Sequence, residues 1–139
     1  MSVIANFCAF YTSFRTEQVE SLGDIYAHNI RFVDPVTEHS GLVAVKHYFS
    51  SLMSNVTHCE FSIDSAEQLN QLAYVQWQMR FSHQRLGDKE ICLDGVSQLR
   101  IESDLVNYQR DYYDLGQMLY EQVPLVGSVN RYLKARLSQ

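Results

Sequence analysis

Midway along the chain the hydrophobic residues change their spacing, and that change limits what the chain can become. In the first third, apolar side chains recur every three or four positions, the period of a helix buried along one side. Ile4, Phe7, Cys8, Tyr11 and Phe14 predict a helix over about 2–14. Val19, Leu22, Ile25 and Tyr26 predict a second over roughly 16–28, with Thr16 as its N-cap. Ile30 to Asp34 reads as a short extended segment that Pro35 ends. Val45, Tyr48, Phe49 and Leu52 predict a third helix over 41–53.

From Thr57 the period becomes two. Cys59, Phe61 and Ile63 alternate with polar residues up to Asp64. Val75, Trp77, Met79 and Phe81 do the same between Ala73 and His83. Leu86-Gly-Asp-Lys has the composition of a hairpin turn. Glu90 to Ile101 and Leu105 to Tyr113 complete four long strands, with Glu102-Ser-Asp104 joining the last two. Hairpin spacing predicts an antiparallel sheet. Leu115 to Tyr120 and Val126 to Leu137 read as helical, with Pro124-Leu-Val-Gly127 between them. Helices, then strands, then a closing helix define an α+β fold of one domain over 1–139. The inward set on the sheet is Cys59, Phe61, Val75, Trp77, Met79, Phe81, Ile91 and Leu93. The alternating outward set, Gln76, Gln78, Arg80, Tyr108, Arg110 and Tyr112, combines aromatic area with arginine, which predicts a homodimer through that face.

The 139 residues are 46% hydrophobic, enough to fill a core without disulfides. Net charge is −5, and the 11 basic residues are scattered, which argues against nucleic acid as a partner. No stretch approaches a membrane span, and the N-terminus lacks a basic, then apolar leader, so the expected location is cytoplasmic. Cys8, Cys59 and Cys92 form no CxxC, and His39 and His47 fit no ligand spacing, so no metal and no cofactor is expected.

Three stretches resemble a known superfamily. Phe32-Val-Asp-Pro35, followed by Gly41 and a helix bearing Tyr48-Phe49, resembles the loop that supplies the catalytic Asp of ketosteroid isomerases. Gly95-Val-Ser-Gln-Leu-Arg-Ile101 resembles the third-strand pattern of nuclear transport factor 2-like proteins. Arg110-Asp-Tyr-Tyr-Asp-Leu115 is similar to the end of the last strand in limonene-epoxide hydrolases and SnoaL-like polyketide cyclases. The resemblance implies a curved sheet wrapped around helices as a cone, a cystatin-like roll with a small-molecule pocket. It implies isomerase or cyclase chemistry without a cofactor on a small, largely apolar ligand. The alternative is a dimeric module that binds a ligand or partner without turning it over.

Asp34 falls at the general-base position of the isomerases; the competing role for it is an Asx-type turn. Tyr11, at nearly the isomerase spacing from Asp34, falls at the position of the oxyanion donor, or else is a core tyrosine. The isomerases' second donor, an acid, is replaced by Ser97, with Asp94 on the opposite strand face. Asn107, Gln109, Asp111 and Tyr113 share one face of the last strand by period two. Asp111 matches the hydrolases' last-strand Asp, but the second strand lacks their Arg-x-Asp. The roles expected are proton abstraction by Asp34, oxyanion binding by Tyr11, and reprotonation or orientation by Asp111 with Gln109. Trp77, Met79, Phe81 and, at the rim, His83 would contact the ligand.

Overall fold

The computed structural model describes residues 2–87, 89–119 and 124–138. Helix α1 (Val3–Ser13) begins where Ser2 accepts the Ala5 N–H, and it buries Val3, Phe7, Phe10 and Tyr11. A 3-10 helix, Thr16–Asp24, follows. Strands β1 (Tyr26–Val33) and β2 (Glu38–Ser40) precede α2 (Leu42–Asn55). Then come β3 (Val56–Leu69), β4 (Leu72–His83), β5 (Ile91–Glu102) and β6 (Leu105–Tyr113). A single turn, α3 (Leu115–Met118), and α4 (Pro124–Leu137) close the described chain.

The six strands form one curved, unclosed sheet in the order β2-β1-β6-β5-β4-β3. β3 to β6 follow each other antiparallel and β2 pairs antiparallel with β1, but β1 joins β6 in parallel, so the expected antiparallel sheet is mixed. The physical reason lies in the expected second helix. Its positions 19 and 22 bury Val19 and Leu22 in the 3-10 helix, but Gly23 weakens any continuation, and Tyr26 already belongs to a strand. Pairing with β6 takes residues 26–33 away from the helix.

The other boundaries shift less. β3 continues five residues past the expected end at Asp64, through an exposed polar stretch that pairing with β4 holds in place. Pro124 to Gly127 form the first turn of α4 instead of an interruption, with Pro124 at the first helical position. Gly87 turns the β4–β5 connection at a φ of 85°; Asp88, in the expected turn, and Tyr120, in the expected helix, lie outside the described residues. No helix among the described residues is long and apolar enough to cross a membrane.

Along β4 and β5 the inward residues are the ones the alternation predicts. Val75, Trp77, Phe81, Ile91 and Leu93 are buried, and Phe61 and Met79 pack against the core. Gly95 stands opposite Trp77, and a Cβ there would lie 2.2 Å from the indole ring. The glycine lets the indole lie flat over β5, which aims its N–H at the next inward residue of that strand, Ser97. On the other face Gln78 donates to Asp94, Arg100 lies over Tyr108, and Arg110 lies over Tyr112.

Candidate functional site

The core is not filled to the end of the cone. A cavity of about 510 Å³ remains between the inner face of the sheet, α1 and α2. Its wall is mostly aromatic: Tyr11, Phe32, Tyr48, Phe49, Phe61, Trp77, Phe81 and Tyr113, with Cys59 and Met79. Burial pushes the Cys59 thiol up to about 12, with Glu60 adding to it, so it is a neutral wall group. The exposed Arg85 and Val36, with Leu86, Met118 and Leu119, mark the mouth. His83 is half-buried there and accepts the Arg85 N–H at Nδ1, so the neutral ring carries its proton on Nε2.

Two carboxylates interrupt this wall, Asp34 and Asp111. The parallel β1/β6 ladder explains why they meet. Phe32 stands opposite Gln109 and Val33 opposite Arg110, so the next step of the register brings Asp34 beside Asp111 where β1 ends. The strands diverge at that point and leave a groove lined by Asp34, Pro35, Arg110, Asp111, Tyr112 and Tyr113.

Asp34 is held in a turn. Its Oδ1 accepts the N–H groups of Val36 and Thr37, both at 2.8 Å, and its Oδ2 accepts the Tyr48 hydroxyl at 3.1 Å. The Asx-type turn is therefore present. Burial, then the charge of Asp34, raises the Tyr48 hydroxyl well above its ordinary value, so Tyr48 is a fixed donor.

Asp111 is held by side chains on rigid strands. Its Oδ1 accepts from Ser97 Oγ at 2.6 Å and from Gln109 Nε2 at 2.8 Å. Trp77 Nε1 donates to Ser97 Oγ at 2.9 Å, which fixes the serine proton on Asp111. Behind this lies a fully buried network. Tyr26 donates to Gln109 Oε1 at 2.5 Å, and Gln109 Nε2 also donates to Tyr11 at 3.3 Å. Because the Tyr26 proton is used on Gln109, the 3.2 Å contact between the two tyrosines requires Tyr11 to donate to Tyr26. All donors on Asp111 meet one oxygen, and Oδ2 has no hydrogen-bond partner among the described residues. Burial raises the Asp111 carboxyl to about 6; its two hydrogen bonds oppose the rise and the neighbouring Asp34 adds to it.

The arrangement sorts the expected residues. Asp34, Asp111, Tyr11, Trp77, Met79, Phe81, His83 and Tyr113 all line one cavity. Ser97 and Gln109 are buried behind the wall and touch it through Asp111, with Ser97 also bonded to Trp77 and Gln109 to Tyr11. Asn107 is away from the cavity. Ile101 pairs with Val106 and Arg100 with Tyr108, so Asn107 is the unpaired residue of a bulge, and it donates to Glu102 Oε2 at 2.9 Å. The bulge breaks the alternation on which its inward placement rested. Tyr26 and Tyr48 are the site residues that sequence reasoning passed over. Tyr26 was read into a helix; Tyr48 shares its helical stripe with Val45 and Phe49, a pattern that reads as plain core.

Tyr113 differs from the other tyrosines. It is half-buried, lines both the cavity and the groove, and its hydroxyl has no partner among the described residues. Burial, then the charges of Asp34 and Asp111, raises it, so it remains a protonated donor.

A curved sheet closed by helices over an apolar cavity with a few convergent polar groups defines a small-molecule pocket protein of nuclear transport factor 2-like fold. The SnoaL-like domain model matches residues 7–108 of the 139, and the chain belongs to the SnoaL-like family. No curated protein matches the sequence. Among solved structures the fold is similar to a ketosteroid isomerase-like protein from Catenulispora acidiphila, in complex with trimethylamine, at 14% identity and a TM-score of 0.73, covering 84% of this chain and 88% of that one. It is similar to a SnoaL-like polyketide cyclase from a Jannaschia species at 9% identity and a TM-score of 0.72, covering 81% and 83%. An epoxide hydrolase of the limonene-epoxide type from M. tuberculosis matches at 12% identity and a TM-score of 0.70, covering 84% and 85%.

Proposed function

We propose that the cavity performs cofactor-independent acid/base chemistry, of isomerase or cyclase type, on a small apolar carbonyl compound, with Asp111 as the base. The observation that carries this reading is the asymmetry at Asp111. One oxygen is fixed by two neutral donors, the other has no hydrogen-bond partner among the described residues at an apolar cavity, and the carboxyl sits at about 6, near a working pH.

Asp111 Oδ2 takes the proton from a carbon next to the carbonyl. The C–H electron pair moves into an enolate, and the negative oxygen accepts a hydrogen bond from the Tyr113 hydroxyl. Return of the proton from Asp111 to a different carbon of the conjugated system gives an isomer. Attack of the enolate carbon on a second carbonyl of the same molecule gives a ring; the C=O electron pair moves to that oxygen, which takes the proton back from Asp111. Neither outcome needs an oxidant or a metal-bound water.

This exchanges the roles first expected of the two acids. Asp34 has three donors on it and acts as the support of Tyr48 and of the turn. Tyr11 spends its proton on Tyr26 and orients Gln109. The same reading includes a homodimer through the outer sheet face, supported by Tyr74 and Tyr112, which stand 46% and 50% exposed there. Sedimentation giving a monomer at micromolar protein would remove that part alone.

The test of the chemistry is deuterium incorporation, followed by NMR, into a panel of cyclic enones and ketones. Protein-dependent exchange that disappears in Asp111→Asn is expected. Binding of panel members without exchange would instead support a binding module.

A further inference from the structure

The charge of the cavity is one-sided. Asp34 and Asp111 are in no salt bridge among the described residues. Their hydrogen-bond partners are all neutral: two backbone N–H groups and Tyr48 for one, Ser97 and Gln109 for the other. Arg110, adjacent to Asp111 in the chain, is on the opposite face over Tyr112. Among the described residues His83 and Arg85 are the basic side chains that line the cavity, both at its mouth, and Arg110 lines the neighbouring groove with both acids. Two neighbouring carboxylates thus face an interior in which no described basic residue pairs with them, and its wall is otherwise mostly aromatic.

We infer that the ligand itself brings the missing charge: it is a small apolar compound bearing a protonated or quaternary ammonium group, seated between Asp34, Asp111 and the rings of Phe61, Trp77 and Tyr113. This rests on the cavity being the binding site and narrows the substrate class to carbonyl compounds that carry such a group. A neutral ligand would strip water from both carboxylates and leave their repulsion less screened. An ammonium group reverses that cost by attraction to both acids. The rings add cation–π attraction, roughly 0.5–2 kcal/mol for each well-placed ring in a desolvated site. Burial is the main cause of the raised Asp111 carboxyl, with Asp34 adding to it, and a bound cation would lower it again.

The chain contains one tryptophan, Trp77, and it lines the cavity, so its fluorescence reports occupancy. The test titrates benzyltrimethylammonium against its uncharged isostere, neopentylbenzene, at pH 7.5 and 5.0. The ammonium ion should bind at least tenfold more tightly than the isostere at pH 7.5. Its advantage should shrink at pH 5.0, where Asp111 gains its proton. The titratable groups facing Asp111 are Asp34 at the end of β1, Tyr26 on β1, Tyr48 on α2, Tyr11 on α1 and Tyr113 on β6. All four tyrosines are raised and stay neutral in this range. Asp111→Asn should cut ammonium affinity about tenfold at pH 7.5 and should not weaken binding of the isostere, which no longer desolvates that charge. Equal binding of the two probes, tighter binding of the isostere, binding of neither, or an ammonium preference that survives the double Asp34→Asn, Asp111→Asn variant would overturn the inference. Exchange on neutral ketones without ammonium preference would sink this inference and leave the chemistry standing. Ammonium preference without exchange on any ketone, amine-bearing ones included, would do the reverse.

Discussion

Asp34 and Asp111 are neighbours across one ladder, and the chain builds their surroundings in opposite ways. Asp34 is the last step of a strand entering a turn, and backbone N–H groups only two and three residues away occupy one of its oxygens. Asp111 lies inside a strand, and its partners come from β5 and β6, with Trp77 of β4 and Tyr26 of β1 one bond behind. A carboxylate satisfied by local backbone is cheap to keep and does structural work. One satisfied by a buried network of neutral side chains is costly to keep, and the cost shows as its raised carboxyl. On the proposed reading, that stored cost at the cavity wall is what suits Asp111 to act as the base.

The largest effect that would break this contrast is at Asp111. Asp111→Asn should lower deuterium exchange by about 10²–10⁴-fold, the usual weight of a general base. The fold should survive, because the amide oxygen still accepts from Ser97 and Gln109. The wild-type rate should rise through pH about 6 and level off above it. Stability gives an independent check. The folded carboxyl titrates near 6 and the unfolded one near its ordinary value of about 3.9, so the folded state holds the extra proton between them. Stability should therefore fall as pH rises from about 4 to about 6, by on the order of 3 kcal/mol from this group, and then stay level. Urea titrations of the Asn variant should lack that slope. A wild type whose stability is flat over this range would mean that Asp111 is not strained.

Next in size is the pair of tyrosines. Tyr113→Phe should reduce turnover by roughly 10- to 100-fold with little change in stability, because its hydroxyl serves only the ligand. Tyr11→Phe should act the other way round. It removes a buried donor to Tyr26 and an acceptor for Gln109, costing roughly 1–3 kcal/mol of stability. Its effect on turnover should be smaller than that of Tyr113→Phe. Equal kinetic losses would return Tyr11 to the oxyanion role.

Asp34→Asn should cost about 1 kcal/mol and change turnover by less than about fivefold. The amide oxygen can keep both turn hydrogen bonds, and only the Tyr48 contact must rearrange. Abolished exchange in this variant, with a normal melting profile, would restore Asp34 as the base.

What was legible in the sequence follows the same division between local and distant causes. The alternation of Val75, Trp77, Met79 and Phe81 set the inward face, because burial on one side of a strand specifies register strongly. Asp34, Asp111, Tyr11 and Tyr113 could be placed near one cavity by the resemblance to ketosteroid isomerases and limonene-epoxide hydrolases, together with the period of their strands and helices. Their division of labour could not. It depends on which donor reaches which oxygen; Val36, Thr37 and Gln109 are two or three positions away, but the other deciding bonds span 14 to 98. Tyr26 was hidden for a related reason: Val19, Leu22, Ile25 and Tyr26 fit a helical period, and only the parallel partner β6 makes residues 26–33 a strand. The bulge at Asn107 leaves no hydrophobic trace either, since one unpaired residue shifts the alternation without changing composition.

Asn107 gives the smallest expected effect, and its smallness is informative. By simple alternation it shares a face with Gln109, Asp111 and Tyr113, and on that basis it would contact the ligand. The bulge instead leaves it bonded to Glu102 near the β5–β6 turn, away from the cavity. The bond is exposed, so Asn107→Ala should change stability by no more than about 0.5 kcal/mol. Probe affinity and exchange rate should both stay at wild-type values. An altered KM in Asn107→Ala would mean that β6 runs in unbroken register in solution. Period two would then carry Asn107 onto the inner face with Gln109, and Val106, fully buried here, would have to leave it. The placement of Asp111 is insulated from that slip only if the pairs between Gly95–Arg100 and Tyr108–Tyr113 hold independently of the bulge. Unchanged kinetics in Asn107→Ala, beside lost exchange in Asp111→Asn, would locate the functional part of β6 on the far side of the bulge.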